Sequence, residues 1–238
     1  MSTPYQVTIQ LPDATLQSLT ASGYSLCVFH PLQATAAGGQ PVLWIHVSSL
    51  ATSITIQWMP SYAAYISQSQ IAVNDTIAME AGAGIELGQI LEVGQGGSVK
   101  VTGDGPPDAM SVLNTTSTKY TCGVALVSGS TTSPIAAFPL YGNSMDAMAP
   151  VEQAFLLFES YPATAGQILD RTLAQGVLVD VAGMTERVVG FDVNNGWMAG
   201  NAPWATTVPA NTPLSEVLIR QAPLTLTESV AKVNAARR

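Results

Sequence analysis

The sequence predicts an all-β protein, mainly antiparallel, of β-sandwich or jelly-roll type with one or two short helices. Three observations carry this prediction. Residues 41–68 alternate apolar and polar side chains with a period of two. Short apolar runs recur with turn signals about every 8–12 residues, as in sandwiches and barrels. The long amphipathic helices that would join parallel strands in a doubly wound sheet are missing.

In chain order, Val7, Ile9 and Leu11 alternate with Gln6, Thr8 and Gln10, which is strand period. Asp13 is placed to cap one or two helical turns with Leu16 and Leu19 inward, stopped at Gly23. Residues 24–32 return to strand character, and the glycine pair in residues 35–40 makes a loop. Residues 41–49 and 52–59 read as two strands of a hairpin, separated by Ser49, Leu50 and Ala51. A third strand follows Pro60, completing a meander.

Residues 71–79, 85–93 and 95–102 are short strand candidates. Residues 103–108 (GDGPPD) are the sharpest break. The expected organisation is one β-sandwich-type domain over residues 1–225, with an internal boundary, if there is one, near residues 103–117. Residues 120–127, 134–140, 176–182 and 187–193 read as strands, and residues 151–159 as a buried strand or short helix. Residues 214–220 read as a last strand, and residues 226–238 as a C-terminal helix or tail capped by Thr227 or Ser229. No fixed repeat is visible, which disfavours a propeller or solenoid.

Composition narrows the function. Apolar residues make up 47% and charged residues 10%, against about 25% charged in an ordinary soluble protein. Eight basic face sixteen acidic residues, and Lys100, Lys119, Arg171, Arg187 and Arg220 are scattered. Nucleic-acid binding needs clustered cations to release counterions, so no nucleic-acid partner is expected. No apolar run is long enough for a transmembrane segment. The opening residues lack the basic and apolar regions of a cleavable signal peptide. A cytoplasmic location, or release without such a peptide, is therefore expected. Cys27 and Cys122 read as two buried thiols, with a single disulfide left open as the alternative. Two cysteines and two histidines with no ligand spacing predict no metal site, and no cofactor is expected.

The candidate ligand-binding residues lie in residues 191–204 (FDVNNGWMAGNAPW): Asp192, Asn194, Asn195, Trp197, Asn201 and Trp204. Indole faces stack on the C–H faces of sugars, while amides and carboxylates bond their hydroxyls. The expected function is a non-catalytic binding protein, lectin-like or self-assembling into a homo-oligomer, with a carbohydrate or small neutral ligand as partner. One alternative is an enzyme with an apolar pocket using Asp180, Asp192 or His46 as acid or base. Another is a membrane-active, pore-forming protein that refolds residues 89–102 into a hairpin.

Overall fold

The structure, a computed structural model, describes residues 4–236. Among these residues the strands assemble into four sheets of mostly antiparallel pairs, with three short helices. The first sheet has the order Gly196–Met198, Glu186–Asp192, Tyr5–Gln10, Ser53–Trp58. The second runs Ala205–Val208, Gly176–Asp180, Gln153–Glu159, Ser25–Phe29, Ile45–Val47. A third, six-stranded sheet runs Val99–Thr102, Ile90–Val93, Met110–Asn114, Met145–Pro150, Leu32–Ala34, Ile219–Gln221. The fourth runs Gln40–Pro41, Thr131–Leu140, Tyr120–Ser128, Tyr62–Ser67, Ala81–Ile85. All four sheets feed one continuous apolar core: Val7 and Ile9, Val28 and Leu156, Val112 and Met148, Val124 and Phe138 belong to a single cluster. Helical residues cover outer faces of two sheets: Leu214 and Leu218 pack against Phe29 and Phe155 of the second, and Leu226 and Val230 against Leu113 and Met145 of the third.

The alternation in Ser53–Trp58 is realised, with Ile54, Ile56 and Trp58 buried and Ser53, Thr55 and Gln57 exposed. The hairpin and meander expected over residues 41–68 do not form. Gln40–Pro41 and Tyr62–Ser67 lie in the fourth sheet, Ile45–Val47 in the second and Ser53–Trp58 in the first. The chain changes sheets at Leu43 and Trp44, whose amides bond the carbonyls of Gln167 and Val28. Both side chains are buried, so this crossing lies inside the protein. Period-two alternation reports that a strand has two unlike faces, not which strand lies beside it.

Helix α1 spans Asp13–Ala21 and ends before Gly23, whose φ of +69° only glycine adopts at no cost. Pro12 occupies its N-cap, so Asp13 sits inside the first turn instead of capping it. Residues 71–79 form no strand; Thr76 makes only an isolated bridge to Gln167. Residues 153–159 are a strand, paired with Gly176–Asp180 over residues 153–157 and with Ser25–Phe29 over residues 155–159. Residues 214–218 fold as helix α2 (Leu214–Leu218) in place of the expected strand. Leu214 and Leu218 are one turn apart and both buried, and Pro213 sets the entry. Helix α3 (Leu224–Ala236) begins upstream of Thr227 and Ser229, which bond the carbonyls of Pro223 and Thr225 from within the helix. Residues 103–108 connect two strands of the third sheet that flank Ile90–Val93 on opposite sides. Both cysteines are buried free thiols. No helix among the described residues is long and apolar enough to cross a membrane.

Candidate functional site

A cleft of about 880 Å³ opens where the ends of strands from three sheets converge. From the first sheet come Tyr5 and Trp58, which are cross-strand partners with ring centroids 5.6 Å apart. Tyr62 and Ile85, paired in the fourth sheet, form a second wall. Val101 and Pro150 arrive from the third sheet, and Glu152 follows directly. The turn carrying Glu86 and Gln89 closes the rim: the Glu86 amide donates to Gln89 Oε1 at 2.9 Å, and the Gly88 amide to the Ala109 carbonyl at 2.9 Å. Asp108 completes the lining beside that brace.

Glu86, Asp108 and Glu152 all line this cleft, and among the described residues no lysine, arginine or histidine does. The Tyr5 hydroxyl donates to Glu152 Oε1 at 2.5 Å. Partial burial, that hydrogen bond and the carboxylate's charge together push the Tyr5 phenol up to about 12. Burial, then Tyr5 and Glu152, raise the Tyr62 phenol as well. Both tyrosines therefore stay neutral and carry their aromatic faces and O–H groups into the cleft at any physiological pH.

Behind Trp58 the wall continues inward as an aromatic stack. The fully enclosed His30 ring lies 4.9 Å from Trp58 and 4.5 Å from Trp44. His30 Nδ1 is 3.0 Å from the carbonyl oxygen of Gln153, an obligate acceptor, which places the ring proton on Nδ1. Nε2 is left buried without a partner. Burial lowers the imidazole to about 4, against the modest upward pull of the Gln153 carbonyl. Gln153 in turn donates from Nε2 to Asp180 Oδ2 at 2.8 Å and accepts from Arg220. Behind Trp58 there is thus a neutral aromatic layer tied to a polar network.

The residues expected from sequence are distributed differently. Asp192 accepts on Oδ1 from the amides of Asn194 and Asn195 and from Asn195 Nδ2, and on Oδ2 from Thr15. The amide of Asn194, followed by the Thr15 hydroxyl, holds this carboxyl below the ordinary range. The trio Asp192, Asn194 and Asn195 is thus a closed turn. Trp197 is buried; it stacks on Phe158 at 5.4 Å and 15°, and its indole N–H donates to the Gln175 carbonyl at 2.9 Å. Its remaining edge and Asn201 line a hollow of about 410 Å³. Trp204 is half-buried, with the Arg187 guanidinium 4.9 Å from its ring centre.

The residues considered for acid–base chemistry are also separated. Asp180 is engaged by Gln153 and by the amide of Ala182, in the second sheet; Asp192 is in the first. His46 has a buried Nε2 without a partner and lies opposite Cys27. No group of metal-ligating side chains is found among the described residues. The cleft residues Tyr5, Tyr62, Glu86, Gln89, Asp108 and Glu152 were not legible as a site, because they come from five separate segments and only the sheet convergence unites them. The chain matches no protein-family model, no curated protein and no solved structure.

Proposed function

We propose that the protein is a non-catalytic binding protein whose ligand carries a positive charge, an organic ammonium or guanidinium group, held in the cleft between Tyr5, Tyr62 and Glu152. The observation that carries this reading is the lining itself: three carboxylates and aromatic walls, with no basic side chain among the described residues. A cation there gains from the carboxylates and from the faces of the rings. An anion is repelled, and the net charge of −8 adds a long-range field of the same sign. The volume lies within the range of small-ligand sites, about 300–1,000 Å³.

Titrations with choline, arginine methyl ester and choline's neutral tert-butyl isostere, followed by calorimetry, test this reading. Choline and the arginine ester are expected to bind, and the isostere to bind at least about tenfold more weakly, from loss of charge and cation–π terms of about 1–2 kcal/mol. Glu152→Gln and Asp108→Asn are each expected to weaken the cations about threefold to tenfold, and raised salt to weaken them further. Equal binding of the cation and its neutral isostere would overturn the charge assignment, and no binding of either would overturn the cleft.

A further inference from the structure

We propose that a second hollow, at the opposite end of the strand Tyr62–Ser67, is a separate binding site for a neutral oligosaccharide. This hollow of about 730 Å³ is lined by Gln40, Gln68, Gln70, Lys119, Tyr120 and Thr121, among others. It sits where Tyr62–Ser67 ends, Tyr120–Ser128 begins and Gln40–Pro41 crosses the neighbouring edge of the same sheet.

Its backbone is fastened while its amides are free. The Gln68 amide N–H donates to Glu80 Oε1 at 3.0 Å, and the Ser69 amide to Ser67 Oγ at 2.9 Å. Thr121 Oγ1 donates to the Ser69 carbonyl at 2.7 Å, and Ser69 Oγ accepts from the Ala78 amide at 3.1 Å. On the facing rim, buried Asn114 donates from Nδ2 to the carbonyls of Thr118 at 2.7 Å and Tyr141 at 3.1 Å. By contrast, the side-chain amides of Gln40, Gln68 and Gln70 make no hydrogen bond with any described residue. Each offers one acceptor oxygen and two donor hydrogens to one concave space whose backbone is already fastened.

That chemistry selects the ligand class. Neighbouring sugar hydroxyls donate and accept together, which is the complement of a primary amide. Ile71 and Pro139 offer apolar surface to the C–H face of a ring. Among the described residues no carboxylate lines this hollow, so it lacks what the first cleft offers a cation. Its one charge, Lys119, extends over the Tyr141 ring at 5.2 Å from the centroid. The two sites therefore differ in ligand class, and neither inference depends on the other.

The test is a set of ¹H–¹⁵N spectra that resolve the glutamine side-chain amides, recorded with maltotriose, cellotriose, chitotriose and mannotriose at millimolar concentration. At least one trisaccharide is expected to shift the side-chain amides of Gln68 and Gln70. The double variant Gln68→Ala/Gln70→Ala is expected to weaken that ligand about tenfold, the loss of two ordinary hydrogen bonds, with an unchanged melting temperature. Its choline titration should match that of the unaltered protein. Failure of all four sugars to move these amides overturns the proposal. So does an affinity that the double variant leaves unchanged, or a response confined to the Tyr5 cleft.

Discussion

Buried His30 and half-buried Asp146 are two ionisable groups with opposite effects on stability. His30 falls from its ordinary 6.5 to about 4 on burial, so the unfolded chain binds its proton first and stability is lost as pH drops from 6.5 toward 4. Asp146 is raised by burial from 3.8 to about 6, and its Oδ2 has no partner. Here the folded protein keeps a proton that the unfolded chain has released, so stability is lost as pH rises from 3.8 toward 6. Each shift corresponds to about 3 kcal/mol, and between pH 4 and 6 the two nearly cancel. Urea unfolding across this window should show a shallow slope for the unaltered protein. Asp146→Asn should unmask a loss of about 3 kcal/mol toward acid, and His30→Phe the opposite trend. A slope in the unaltered protein as steep as that of Asp146→Asn would rule the compensation out. The two loop tryptophans separate at the same scale. Trp197→Ala removes a stacked, hydrogen-bonded core ring and should cost about 3–5 kcal/mol in urea unfolding. Trp204→Ala removes a half-exposed ring over Arg187 and should cost about 1 kcal/mol.

Elements in this fold are set by local pattern, but their neighbours are set by close approaches. The loop before Gln40–Pro41 shows this. A Cβ on Gly39 would lie 2.1 Å from a ring carbon of Phe138, which is wholly buried. Gly39→Ala should therefore destabilise by about 3 kcal/mol, read as a lowered melting temperature. Gly84→Ala, on the edge strand Ala81–Ile85 where a Cβ meets nothing within 4 Å, should stay within about 0.5 kcal/mol. The same distinction explains what the sequence allowed. The two-faced pattern of Ser53–Trp58, the α1 helix with its Gly23 stop and the overall β class are short-range signals that could be read directly. The hairpin expected around Ser49–Ala51 failed because Leu43 bonds Gln167, far away in sequence, and Trp44 bonds Val28 in the second sheet. Residues 214–218 misled for the opposite reason: five residues are too few to tell Leu214–Leu218 helical spacing from a strand run. The Asn/Trp segment was visible as unusual composition, yet composition does not tell whether Asp192 serves a ligand or its own turn.

Across the whole molecule, low charge density makes each charge count. The isoelectric point lies near 4.5, so solubility should pass through a minimum close to that pH, measurable by turbidity across a pH series. The carboxylates of the Tyr5 cleft contribute to the negative field that draws cations toward the site, and added salt should slow ligand association there more than dissociation. The first sheet has a further consequence, for how the chain is made. Tyr5–Gln10 pairs antiparallel with Ser53–Trp58 and parallel with Glu186–Asp192, so that Gln6 faces both Gln57 and Glu186. A ribosome releases the first partner early and the second only after more than a hundred further residues have been joined. Throughout that interval one side of YQVTIQ, uncharged and regularly alternating, is a bare template for strand addition. Nascent chains stopped between residues 70 and 180 are accordingly expected to pellet or to be held by chaperones, and chains extended past residue 192 to be released from them.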